Sequence, residues 1–547
     1  VPDFPGPGAS SPLESAIGLF PGQDFRLTTG RCSDCAAIPQ ALWYFADEVI
    51  AAPRVGRPVA GFTRGVTAWQ DVERWAATHS AGTPIEAPPL VWIGAPEIVR
   101  HATLSADGAS LTAGANDWSF ELVPKIPLNR SYYNAASTAY LATRPLTVRG
   151  SSRDGVFIAR TIWPEDFRLD SGAALHRVDA TPAALNALVR AEPRGGAQSP
   201  FASFPVWERT PGAARRWENA PVLAVMLNGA QGDDDEAHAG HFAIVTGRVG
   251  AQGDAGGPGA INDWLASNFY TLDAESEKGI VAAMLPLDNY LADLNSGQAW
   301  YRPSYLLVAV LKSGRVASQV QGALARTYNQ FYRHQLVYDH PTMNCTSISV
   351  DVLRMLGWNV PARGATSWTA AILGLPYFVL RKRNLAKAAE SFDYLTEDQT
   401  RLYPAAAFEE IGADLLKLAT GRPARAPTPF ETMLGEDMEA LVFLRVPQLP
   451  SLRVWGDYPV ASALEYRARY PRDRAQAQTI PVPPRPFPDR WRDPDLLPPP
   501  RRRADIALAV WAVLSVVGIP WLLTRWWRGW RRNTVQPSTL GKSRIPG

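Results

Sequence analysis

Cysteine is scarce: the 547 residues hold three, Cys32, Cys35 and Cys345. Three thiols cannot build a disulfide framework; they allow one bridge and leave one thiol over. An excess of charge of one sign is also missing. The 55 Lys and Arg stand against 52 Asp and Glu, a net +3, which lacks the electrostatic footprint of a nucleic-acid binder, so no nucleic-acid partner is expected. Histidine is limited to 7 residues, so few side chains qualify as a general base near neutral pH. With 46% hydrophobic and 20% charged residues, wholesale disorder is excluded. The chain opens on Val1-Pro2 without an initiator Met and reads as processed or incomplete at its front, so any signal peptide would already be gone.

Proline and tryptophan are plentiful, at 48 and 19 residues. Proline is densest in 479–500, TIPVPPRPFPDRWRDPDLLPPP, where it blocks helix and sheet and gives an extended spacer. Segment 506–523, IALAVWAVLSVVGIPWLL, carries no charge over 18 residues, the lower edge of the roughly 17–25 that cross a bilayer as a helix. Arg501, Arg502 and Arg503 precede it; Arg525, Arg528, Arg531 and Arg532 follow, interleaved with Trp526, Trp527 and Trp530. That collar predicts one transmembrane helix over 504–525 with a basic tail, 526–547, on the cytoplasmic side. The main body is then expected outside the cytoplasm, in the periplasm of a bacterial inner-membrane protein.

Segment 1–87 reads as irregular and helical. Segment 88–215 carries short β-type runs (LVWIG, ATLSAD, SLTAG, WSFELV, LTVRG, GVFIARTIW) separated by turn residues, the spacing of a small β-sandwich serving as an accessory domain. Cys32-Ser33-Asp34-Cys35 is no haem-attachment motif, because Ala36 stands where His is required. Two thiols do not complete a zinc site, and a local disulfide is expected instead. No metal or cofactor is called for. The acidic stretch Asp233-Asp234-Asp235-Glu236 reads as a solvated turn.

Segment 216–362 holds the chemistry. Three apolar runs, VLAVML, FAIVT and YLLVAVL, read as strands, followed by a helix over 316–328. Apolar positions 345, 348, 352, 355 and 356 then follow helical spacing, with Asn344 as N-cap, Gly357 just past the end and Pro361 beyond. Cys345 takes the first helical position, where unpaired N–H groups and the macrodipole favour the thiolate, the nucleophilic form. Such a thiol needs a base, and the base an orienting partner. His241 is set apart from the other histidines because it follows a glycine at the mouth of an apolar strand.

The motifs GHFAIVTG, ASNFYTLDAESEKGI and NQFYRHQLVYDHPTMNCTSISVDVLRMLGW resemble, in order and spacing, the periplasmic domain of lipoprotein N-acyltransferases of the Lnb type over 221–361. The resemblance implies a circularly permuted papain-like fold, akin to lecithin:retinol acyltransferase, with Cys345 as nucleophile and His241 as its base. It also implies a third polar group on the strand after the His strand, for which Asn268 is the candidate.

The expected architecture is therefore α+β. A papain-like thiol domain (216–362) follows the β-rich accessory domain and precedes a helical extension (363–478, with helices near 408–420 and 430–444), a Pro-rich linker (479–503) and the span. The expected activity is a membrane-anchored thiol acyltransferase or hydrolase acting on a lipid or lipoprotein ester or amide, with backbone N–H groups at the start of the Cys345 helix holding the oxyanion. Two alternatives stand beside it: a non-catalytic scaffold subunit among other membrane-protein subunits, and a cell-wall thiol peptidase or amidase.

Overall fold

The three apolar runs of the central segment do not alternate with polar residues, the signature of strands buried on both faces. In the computed structural model they form β10 (Pro221–Asn228), β11 (His241–Arg248) and β14 (Ser304–Leu311), and every residue of β10 and β14 is buried. The structure describes the chain except residues 1–12, 14–15, 33–38, 47, 55–59, 80–87, 124–132, 171, 173–175, 192–198, 231–237, 273–280, 366, 452–455, 470–487, 489, 491–492, 494–502, 516–519, 522 and 528–547.

These strands are the middle of a ten-stranded sheet. On one side β11 continues through β12 (Leu265–Ser267) and β13 (Met284–Pro286). Beyond them lie β3 (Val91–Gly94), β2 (Val49–Pro53) and β1 (Phe25–Thr29). On the other side β14 is followed by β15 (Met438–Val446) and β9 (Ala202–Glu208). The sheet is antiparallel except where β13 meets β3. One sheet thus gathers strands from four segments that sequence patterning separates. The helix expected near 430–444 is a helix only over Pro429–Asp437; from Met438 the chain is strand β15, paired to β14 along its length.

The accessory segment closes on itself. β4 (Glu97–Leu104), β5 (Ser110–Ala113), β6 (Asn116–Leu122), β7 (Leu146–Arg153) and β8 (Val156–Pro164) form a closed five-stranded barrel. The expected sandwich is thereby corrected. Its first run, LVWIG, is β3 of the large sheet, and the remaining five close a barrel because β6 pairs in parallel with β8. Closure leaves no unpaired edge, which a five-stranded open sheet would expose.

Two compact units emerge: 1–366 with 397–497, and 367–396 with 498–547. The smaller holds the helices Trp368–Lys382, Leu385–Thr396 and Arg503–Val513. The expected transmembrane helix is overturned here, and with it the single-pass inner-membrane placement and the fold class that included a span. Among the described residues no helix is long and apolar enough to cross a membrane. The Arg503–Val513 helix has 11 residues, about 16 Å at 1.5 Å per residue against a hydrocarbon core of about 30 Å. Part of the apolar run packs on protein. Ala504 is fully buried in a small cluster with Ala371, Leu375, Ala389 and Phe392, and Trp511 donates its indole N–H to the Ile372 carbonyl at 3.0 Å. Of the exposed large hydrophobics among the described residues, all but Val337 and Leu464 lie in this smaller unit.

Within the larger unit an ion network joins barrel to sheet. Arg149 of β7 is buried and donates Nε to Asp288 and Nη2 to Asp263, each at 2.7 Å, while Arg160 of β8 donates Nε to Asp293 at 2.7 Å. Asp288 and Asp293 lie just after β13 and Asp263 just before β12. Burial pushes the Asp288 carboxyl above its ordinary value, and the Arg149 guanidinium pulls against that rise. Removing one partner of a buried pair leaves an uncompensated charge, at a cost of about 3–5 kcal/mol. Arg149→Ala is expected to lower unfolding stability by about that amount in urea titration; a loss below about 1 kcal/mol would show that the barrel is held chiefly by apolar contacts.

Candidate functional site

Gly240 sets the entry of β11. Its φ is +77°, and a Cβ there would lie 2.4 Å from the Asn228 carbonyl oxygen and 2.8 Å from Pro459 Cβ, so only glycine lets the chain turn into the strand at this point. His241 follows directly, paired with Asn228 across β10–β11. β12 pairs with β11 through Ile244 and Ser267. Extending that antiparallel register one residue puts Asn268 opposite Ala243, on the same face as His241 and diagonal to it. The two side chains meet: His241 Nε2 and Asn268 Oδ1 are 2.7 Å apart, and both are buried. Asn268 Nδ2 donates to the Val281 carbonyl at 2.7 Å, which fixes the amide with its oxygen toward the imidazole. His241 Nε2 therefore carries a proton, and Nδ1 is left for another partner.

That partner comes from the Cys345–Met355 helix, which packs on β11. The helix begins with a complete capping box. Asn344 Oδ1 accepts from the backbone N–H of Thr346 (2.9 Å) and Ser347 (3.1 Å), and Ser347 Oγ accepts from the Asn344 N–H (2.6 Å). Asn344 Nδ2 also donates to the carbonyls of His340 and Leu402, both at 3.0 Å, so the cap is tied to two other chain segments. At the far end Gly357 (φ +94°) donates to Arg354 O and Trp358 to Leu353 O, the paired bonds of a Schellman stop. Both ends of the helix are thus pinned, and Cys345 is held at its first position, 5% exposed.

The free thiol faces His241. Burial pushes the Cys345 thiol up; the positive charge and hydrogen bond of His241, the Phe242 backbone N–H and the Thr346 hydroxyl outweigh it and bring the thiol down to about 7. A sulfur poised at that value is substantially thiolate at neutral pH. Behind the imidazole, Tyr290 lies with its ring 6.4 Å from His241 and donates its hydroxyl to Asn228 Oδ1 at 2.5 Å; Asn228 Nδ2 in turn donates to Ser304 Oγ at 2.7 Å. In front, the isolated bridge between Asp339 and Met343 folds the chain back so that Tyr338 comes opposite Asn344. Its hydroxyl faces both the Cys345 sulfur and the Cys345 backbone N–H. Sequence reasoning missed Tyr338, Tyr290 and Asn228. Tyr338 lies inside a quoted motif, but nothing in its spacing reveals the turn that brings it back to the cysteine.

The structure thus brings Cys345, His241 and Asn268 into one chain of contacts. Cys32 is disulfide-bonded and its sulfur accepts from Arg26 Nη2 at 3.2 Å; Cys35 lies outside the described residues, as does the acidic stretch 233–236. Of the other histidines, His101 pairs with Glu165 in the barrel (2.7 Å), His79 stacks on Trp75, and His340 packs edge-on against Tyr338 at 5.1 Å. No family model matches the chain, and neither curated proteins nor solved structures provide a match.

The pH profile of thiol alkylation reads this arrangement directly. With iodoacetamide, the rate at Cys345 is expected to rise with pH through a midpoint near 7. In His241→Ala, burial is no longer opposed by the imidazole and the midpoint is expected above the ordinary thiol value of about 8.5. Identical midpoints in the two proteins would show that the helix start, not His241, sets the thiolate.

Proposed function

We propose that this protein is a cysteine-dependent acyltransferase or hydrolase acting on an ester or amide carbonyl. The observation that carries the proposal is the buried Cys345–His241–Asn268 chain, with the thiol lowered to about 7. Structural cysteines buried in apolar surroundings are raised and inert. Here a base faces the sulfur, and an amide oxygen orients the base, the three-part logic of an activated nucleophile.

The chemistry follows from the groups present. The Cys345 proton passes to His241 Nδ1, and the imidazolium is stabilised by the Asn268 oxygen on Nε2–H. The thiolate adds to the carbonyl carbon. As the tetrahedral species collapses, the C–O or C–N bond breaks and His241 returns the proton to the leaving oxygen or nitrogen. The acyl-thioester on Cys345 is then attacked by water or an amine, whose proton goes to His241, and the thiol is regenerated. The resemblance to lipoprotein N-acyltransferases favours an ester or amide of a lipid or lipoprotein as the acyl donor.

The test uses p-nitrophenyl esters of increasing chain length as acyl donors. Turnover is expected in the full chain and loss to background in Cys345→Ala, and the intact-mass spectrum of the wild-type protein is expected to gain one acyl group on Cys345 early in the reaction. Asn268→Ala is expected to lower kcat about 10–100-fold by releasing the imidazole while leaving KM little changed. Esterase activity that survives Cys345→Ala, or absence of any acyl adduct with turnover in the wild type, would overturn the proposal.

A further inference from the structure

An oxyanion forming on a Cys345 adduct needs preorganised donors, and a helix start is the usual supplier. Here the supply is short. The N–H groups of Thr346 and Ser347 are both taken by Asn344 Oδ1, and the Phe242 N–H is on the sulfur itself. Of the first three residues of the helix, Cys345 is the one whose N–H the cap does not take, and that N–H meets the Tyr338 hydroxyl; an oxyanion held by one donor is poorly stabilised. The backbone N–H groups expected from sequence to do this work are therefore mostly spent on the cap.

We infer that Tyr338 is a catalytic residue for the proposed reaction, its hydroxyl acting as the second oxyanion donor beside the Cys345 N–H. The inference rests on the acyl-transfer reading above. The Asp339–Met343 bridge turns the chain so that Tyr338 comes opposite Asn344, and the ring is fixed by Tyr270 (5.7 Å between centroids) and His340 (5.1 Å). Its hydroxyl stands against both the nucleophilic sulfur and the one N–H that the cap leaves over, the corner into which the carbonyl oxygen must swing once the carbon bonds to sulfur. Burial and the neighbouring Cys345 thiolate hold the phenol well above its ordinary value, so the group remains a neutral donor throughout the range in which the thiolate forms. The resting hydroxyl sits on the Cys345 N–H; the incoming carbonyl oxygen takes that N–H from it, and the O–H turns to donate to the same oxygen. No bond to Tyr338 is made or broken.

The experiment compares two reactions of the same thiol in wild type, Tyr338→Phe and Cys345→Ala. Hydrolysis of a p-nitrophenyl ester passes through an oxyanion; alkylation by iodoacetamide does not. Phenylalanine keeps the ring packing and removes only the donor. Tyr338→Phe is expected to lower kcat for the ester by about 10²-fold with KM nearly constant, the loss typical of one oxyanion donor, while the alkylation rate and its pH midpoint stay at wild-type values. Ester turnover within about threefold of wild type would overturn the inference and leave the acyl-transfer reading standing. A parallel fall in alkylation would also overturn it, showing that Tyr338 merely positions the thiol. Ester turnover independent of Cys345 would overturn the acyl-transfer reading, and this inference with it.

Discussion

The site depends on one contact: the helix that begins at Cys345 lies against β11, so the thiol meets an imidazole more than a hundred residues earlier in the chain. Each side of that contact is separately constrained. His241 is placed by a glycine that no side chain can replace, by its pairing with Asn228 and by the 2.7 Å bond to Asn268. Cys345 is placed by a capping box and a Schellman stop that leave its helix little freedom to slide. The low thiol value follows from this placement, because the imidazolium charge is effective only in water-poor surroundings and at short range. Burial alone would have raised the thiol and made it inert.

The large sheet is what makes those constraints stiff. β10, β11 and β14 are buried along nearly their whole length, so the strand bearing His241 cannot bend toward solvent without exposing apolar surface. Strands from the first hundred residues extend the sheet beyond β13, and the Arg149 and Arg160 ion pairs bind the closed barrel to the turns flanking β12 and β13. Of the three carboxylates, Asp263 lies five residues before Asn268. Through Arg149 and Asp263 the barrel is thus joined to the segment that leads into Asn268.

Tyr338 shows a cost of good capping. A strong N-cap stabilises a helix by satisfying its first N–H groups, but those same groups are the cheapest oxyanion donors available to a nucleophile at the first helical position. Asn344 satisfies two of them. In the proposed reaction a neighbouring phenol would offer the missing donor from outside the helix, through a turn closed by Asp339 and Met343.

By itself the sequence determined the local elements with a repeating pattern or a clear stop: the apolar strands at β10, β11 and β14, and the helix from Asn344 to Gly357. Their signals lie within about a dozen residues, where periodicity and capping chemistry act. It also singled out Cys345, His241 and Asn268, the last through a resemblance rather than through any pattern of its own. Only the tertiary structure decided what depends on pairing across long loops. It made LVWIG a strand of the large sheet rather than of the barrel, and 438–446 a strand rather than a helix, because β14 offered that segment a fully bonded partner. It divided the apolar run at 506–523 between a short helix packed on its own unit and residues beyond it, where hydropathy alone had suggested a span, because the same side chains that suit lipid also suit the Ala371–Phe392 cluster. And it brought Tyr338 back onto the cysteine, a return set by one backbone bridge that no side-chain pattern announces.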